Sequence, residues 1–333
     1  MGGNALKHLG TERKNAQQYH FICNSITDVL SKCCTRIDAI PAYRNKRDFG
    51  DADILVIPKE KIDIKKCIEN LFSPREISTN DNCHSFDYDN FQIDVIETTS
   101  ELYDTTYSYY SYNDLGNLIG RIAHKLGLKY GHEGLLMPIR DNEIRGQNNI
   151  VVTRDTAKAL EFLGYNSNVF AQGFDNLNDI FDFVINTKYF NRDIFAFENL
   201  NHINRVRNRK RKVYAQFLDY IQDKNISTHY IFNSDKTVYH QIIDQAFPEI
   251  HLFKSLERIN QEIQLAKNIK NKLNGIIISD ITKLQDKKLG KFISYFKNLW
   301  GSVKEYEEWV LNTNTNDIYK HVANVYNAYV CQN

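Results

Sequence analysis

An α+β fold, a mixed sheet with helices followed by an all-helical region, is predicted by three observations on this 333-residue sequence. Short alternating apolar runs separated by turn residues occupy the first part of the chain, as half-buried strands require. Beyond Gly164 nearly every segment has helical spacing instead. Two of the alternating runs, DADILVIP and FQIDVIET, carry acids among β-branched residues, which marks strands with one polar and one apolar face. The expected boundary lies near 165, with a mixed domain over 1–165 and a helical domain over 166–333.

Each element follows from local pattern. Tyr19, Ile22, Cys23, Ile26, Val29 and Leu30 stand at helical spacing, so a helix is expected between Thr11 and Cys34. Arg36–Tyr43 reads as a strand whose Pro41 suits a sheet edge or strand end. A basic turn with Arg44, Lys46 and Arg47 leads into the acidic strand, and a helix follows over Ile62–Phe72. Arg75–Thr79 and His84–Phe86 flank an NDNC turn, and Phe91–Thr98 forms the next strand. The tyrosine-rich stretch Tyr103–Tyr112 has no clean period and is read as an aromatic connector packed on the core rather than a base-stacking loop.

Leu115–Leu126 is expected to be a helix, Tyr130–Gly134 a loop, and Leu135–Ile139 with Asn149–Thr153 two strands that extend the sheet. Asp155 opens a helix closed by Leu163-Gly164. Further helices are expected over Leu177–Asn186, Arg205–Gln222, Lys236–Ala246, Leu256–Leu273, Leu289–Trp300, Lys304–Leu311 and Ile318–Val330.

Composition narrows the function classes. Charged residues are 25% and hydrophobic ones 42%, ordinary for a soluble globular protein, and no apolar run approaches membrane-spanning length. The start, MGGNALKHLG, lacks a cationic region followed by an apolar one, and Leu6 stands where a myristoylation signal needs Ser or Thr. The six cysteines show no CxxC pair, so they read as reduced thiols, Cys83-His84 is not expected to bind zinc, and a cytoplasmic location is expected. The net charge of +1 conceals one dense cluster, Arg205, Arg207, Arg209, Lys210, Arg211 and Lys212.

Asp51 and Asp53 sit two apart on a strand and therefore share a face. Asp94 interrupts a second apolar strand, and pairing of the two strands would bring three carboxylates together. Their mutual repulsion calls for a cation, and an all-oxygen set suits Mg²⁺ or Mn²⁺. No Ser-His-Asp or Cys-His arrangement can be argued from spacing.

GG near the start, FGDADILV and IDV together resemble the three signature elements of the DNA polymerase β-like nucleotidyltransferase superfamily. The opening, with GGNAL and YRNKRDFGD, also resembles nucleotidyltransferase-like proteins of bacteriophages. The resemblance covers the first third of the chain. It implies a catalytic palm in 1–165, with Asp51, Asp53 and Asp94 as catalytic metal ligands and Gly2 and Gly3 as contacts to a nucleoside triphosphate. Because a helix and a strand intervene between Gly2-Gly3 and Asp51, the basic residues Arg44, Lys46 and Arg47 are rival phosphate contacts.

The expected activity is metal-dependent transfer of a nucleoside monophosphate from an NTP, ATP among them, to an acceptor hydroxyl. Arg205, Arg207, Arg209, Lys210 and Arg211 point to a nucleic-acid acceptor, an RNA or tRNA 3′ end, because guanidinium groups contact phosphates bidentately. LNGIIISDITKLQDKKLGKFI is similar, over a short span, to helices of the C-terminal part of CCA-adding enzymes. The alternatives are a protein- or small-molecule-modifying AMP transferase and a non-catalytic nucleic-acid-binding palm. For a phage-type protein the compartment would be the cytoplasm of the infected host.

Overall fold

The computed structural model describes residues 5, 6, 8–139 and 149–332. Its elements begin with a short strand β1 (Lys14–Asn15), helix α1 (Ala16–Leu30), β2 (Cys34–Ala39), β3 (Asp48–Phe49), β4 (Asp51–Pro58) and α2 (Ile64–Phe72). There follow β5 (Ile77–Asn80), β6 (Cys83–Tyr88), β7 (Phe91–Glu97), α3 (Tyr103–Tyr110), α4 (Leu115–Lys125), β8 (Lys129–Gly131), β9 (Gly134–Pro138) and β10 (Asn149–Thr153). Helices α5 (Thr156–Phe162), α6 (Ser167–Gln172), α7 (Leu177–Ile185), α8 (His202–Arg209), α9 (Lys212–Asp223) and α10 (His240–Ala246) complete the first unit.

The central sheet has the order β2-β4-β7-β6-β5, with β4 and β7 parallel and the other neighbours antiparallel. β2 is an edge strand that stops at Ala39, before Pro41, as the missing N–H of proline requires. Alternation divides the sheet cleanly. Ala52, Ile54, Val56, Ile93 and Val95 face α1 and α2, where they meet Ile22, Ile26, Leu30, Ile64 and Ile68 in one core. Each isoleucine, leucine or valine among them contributes about 1.5–3 kcal/mol relative to exposure. Asn15 caps α1 in a reciprocal box with Gln18, and Asp63 caps α2 at Lys66, so sequence-local polar groups define where both helices start.

The opposite face carries Leu55 and Ile96, which pack with Ile40 and Tyr103. The stretch read as an aperiodic connector is therefore a helix, α3, lying on the core. Its Tyr103 is fully buried and donates its hydroxyl to Asp38 at 2.8 Å, while Arg36 stacks over the ring at 3.8 Å. Tertiary burial, rather than a helical stripe in the sequence, selects that conformation.

Three further expectations are corrected. The strands at 134–138 and 149–153 do not extend the central sheet; they form a separate three-stranded sheet of order β10-β9-β8. The loop expected at 130–134 contributes β8 and the hairpin turn, with Gly134 at φ 112, a conformation that a side chain disfavours. The single helix expected over 205–222 breaks at Lys210-Arg211 into α8 and α9.

The compact units do not part at 165. One comprises Met1–Pro138 with Asn149–Ile250, so the helices from α5 to α10 belong with the sheet; in the other, the described helices run from Leu252 to Gln332. That second unit consists of α11 (Leu252–Lys272), α12 (Gly275–Thr282), α13 (Asp286–Lys297), α14 (Val303–Asn312) and α15 (Thr315–Gln332). Phe292, Phe296, Val310, Ile318 and Val322 form its core. Among the described residues no helix is long and apolar enough to cross a membrane.

Candidate active site

The candidate site lies on the α3-side face of the central sheet, at the end where apolar residues give way to acids. Along β4 that face reads Ile57, Leu55, Asp53, Asp51, and along β7 Ile96, Asp94, Gln92. Parallel pairing sets Asp53 opposite Asp94 and Asp51 opposite Gln92. Ser85 of β6 stands across from Asp94 on the other side.

Charge on this face is disfavoured. Burial, then the charges of Asp51 and Asp94, hold the Asp53 carboxyl well above the usual carboxylate range. Burial pushes Asp94 up to about 6, opposed by hydrogen bonds from Ser85 and Gln92 and reinforced by Asp51. The Cys83 thiol is pushed up to about 12, first by burial and then by Asp94 and Asp53.

Lys46 lies within electrostatic reach of Asp51 and Asp53. Burial lowers its pKa while Asp51 and Asp53 act to raise it, and its ammonium lies 4.5 Å from the Phe49 ring centroid. Its neighbours in the basic turn behave differently. Arg44 is paired with Asp175 and donates to the Gln172 carbonyl at 2.8 Å, so it pins the α6–α7 connection rather than facing the acids. Arg47 is exposed. Gly2 and Gly3 lie outside the described residues; the nearby Ala5 donates its N–H to Gln92 Oε1 at 2.9 Å.

The arginine cluster splits in the same way. Arg211 is paired with Asp114, and burial lowers its pKa, so it anchors the start of α9. Asn208 is buried and accepts from Asn117, which fixes α8 against α4. Arg207, Arg209 and Lys210 remain exposed, with Arg205 partly so. Arg207 is close enough to Tyr110 to lower its pKa, while Asp53 raises it; burial dominates and pushes that hydroxyl up to about 12. Tyr110 therefore lies within electrostatic reach of both Asp53 and Arg207.

Sequence reasoning missed Gln92, Ser85 and Tyr110 as site residues. The alternation that selected Asp94 also places Gln92 on its face, so that signal was available. Ser85 and Tyr110 required the strand order and the α3 helix. At Cys83-His84, zinc ligation is disfavoured in this arrangement, because both His84 ring nitrogens have partners, Thr79 at 3.0 Å and Glu97 at 2.6 Å.

As a donor set, three carboxylates on one face fit a hard divalent cation in chemistry and charge. Their spacing is not closed around one: among the described residues no three His, Cys, Asp or Glu side chains gather as a metal-holding group.

No family model matches the chain, and no curated protein matches it. Among solved structures it is similar to the Leishmania infantum polymerase beta in a ternary P/T complex. The identity is 13% and the TM-score 0.32, over 53% of this chain and 74% of that one.

Proposed function

We propose that the protein is a metal-dependent nucleotidyltransferase that moves a nucleoside monophosphate from an NTP to an acceptor hydroxyl, most simply the 3′ end of a nucleic acid. The observation that supports this reading is the register of two parallel strands, with Asp53 opposite Asp94 and Asp51 on the same face. Two of these carboxyls are disfavoured in their charged form, and a bound cation would relieve that cost.

In this reading Asp51, Asp53 and Asp94 hold Mg²⁺ or Mn²⁺, which supplies neutralisation of the phosphates and a more acidic attacking hydroxyl. Lys46, within electrostatic reach of Asp51 and Asp53, would provide a further positive charge for the triphosphate in place of Arg44. Gly2 and Gly3 would contact the triphosphate through their backbone N–H groups. Arg205, Arg207, Arg209 and Lys210 attract the phosphates of the acceptor. Arg207 influences Tyr110, which Asp53 also influences, and Arg211 serves the fold.

The test is incubation with each labelled NTP, Mg²⁺, and separate RNA, DNA, protein and metabolite pools. Label in RNA or DNA is the expected result; label in protein or metabolite alone would move the acceptor assignment to the corresponding class. Asp51→Asn should reduce transfer about a hundredfold or more while the protein stays folded. Transfer by Asp51→Asn at the parental rate, or no transfer from any NTP to any pool, would overturn the reading.

A further inference from the structure

Gln92 stands between a group that can only donate and one that, ionised, can only accept. The Ala5 N–H donates to its Oε1 at 2.9 Å, and its Nε2 donates to both oxygens of Asp94 at 2.8 and 3.0 Å. These two neighbours determine which end of the amide faces which, because a flipped amide would set its carbonyl against the carboxylate. The side chain is 2% exposed, so water cannot replace a lost partner. Leu6 is buried beside Ala5, which ties the same segment down by its apolar side chain.

The near-equal distances place Nε2 close to the midline of the Asp94 carboxylate. A cation that takes either oxygen on the side facing Gln92 must displace Nε2 from it. Gln92 and such a cation therefore compete for Asp94.

We propose that Gln92 is a latch that holds Asp94 in a resting position, so that cation binding at the three-acid face and docking of the Ala5–Leu6 segment oppose each other. The inference rests on the reading of Asp51, Asp53 and Asp94 as cation ligands. Thermodynamic linkage makes the coupling reciprocal: whatever docking of the Ala5–Leu6 segment on Gln92 removes from cation affinity, the cation removes from that docking.

The experiment measures Mn²⁺ affinity of the full chain by electron paramagnetic resonance, in the parent and in Gln92→Leu, without nucleotide. Hydrogen exchange at the Ala5 and Leu6 amides is followed with and without Mg²⁺. Gln92→Leu should bind Mn²⁺ at least about fivefold more tightly, the lower end of typical coupling. A purely structural role would predict the opposite, since loosening the site weakens a ligand set. In the parent, Mg²⁺ should accelerate exchange at Ala5 and Leu6, and in Gln92→Leu it should not.

Unchanged exchange in the parent at saturating Mg²⁺ would overturn the latch, whether or not the variant folds. Equal or weaker Mn²⁺ binding by a folded Gln92→Leu would do the same. A parent that binds no Mn²⁺ would remove the metal-site reading itself, and the latch with it.

Discussion

Single residues on this sheet show how the same side chain can work for or against the fold. Asp87 is 6% exposed and accepts from the backbone N–H groups of Arg75 and Glu76 and from the Arg75 guanidinium at 2.7 Å. These donors outweigh its burial and hold its carboxyl below the usual range. Its folded pKa is lower than its unfolded one, so its stabilisation is present above the unfolded value near 4 and is lost as the pH falls through the folded value. Asp87→Asn should cost about 1.5–3 kcal/mol at neutral pH and flatten the acid limb of the stability profile. Denaturant melts between pH 7 and 2 would show this; an unchanged acid limb would refute it.

Asp53 presents the opposite sign. Its folded pKa is raised, so the folded state binds the extra proton and stability falls as the pH rises through the carboxylate range. Asp53→Asn should therefore raise the melting temperature in EDTA and abolish any increase that Mg²⁺ gives the parent. A lower melting temperature in EDTA would mean that the acid is not held against its own preference.

At the scale of elements, the hairpin of β8 and β9 depends on one backbone position. Gly134 has φ 112, and a Cβ there would stand 2.5 Å from the Thr153 carbonyl oxygen of β10. Backbone atoms cannot rotate away as a side-chain tip can. Gly134→Ala should destabilise by about 1–3 kcal/mol, read as a lower denaturation midpoint with an unchanged m-value. A neutral effect would show that β10 shifts freely, contrary to its antiparallel register with Leu136 and Met137. The α8–α9 pair follows a related logic, since the break at Lys210-Arg211 allows Arg211 to meet Asp114.

On the scale of the whole molecule, a net charge of +1 gives no general attraction to polyanions, so the proposed nucleic-acid affinity would have to come from local clusters. Arg205→Gln, Arg207→Gln and Arg209→Gln together should weaken RNA binding and reduce the slope of log affinity against log salt by up to about 3. Arg211 is excluded from the set, because its removal would leave Asp114 without its partner. RNA affinity measured across a salt series decides the matter. An unchanged slope, with NTP binding intact, would remove nucleic acid as the acceptor and favour protein or metabolite.

The sequence by itself determined what depends on period and on local caps. Alternation placed Asp51 and Asp53 on one face of a strand and Asp94 in the middle of another, and the helical spacing of Tyr19, Ile22, Ile26 and Leu30 made α1. Those signals are local, carried by residues within a turn or two of one another. Only the tertiary structure decided that β4 and β7 are parallel neighbours, because strand partners are chosen by packing between segments far apart in the chain. It also decided which cations are tied up in ion pairs within the fold. Arg44 and Arg211 look like Lys46 and Arg207 in a list of charges, but Asp175 and Asp114 hold the first two, and those acids lie 131 residues after and 97 residues before their partners. The helix of Tyr103–Tyr110 and the contact between Gln92 and Ala5 were hidden for the same reason: packing against a distant part of the chain, rather than pattern along it, gives each its conformation.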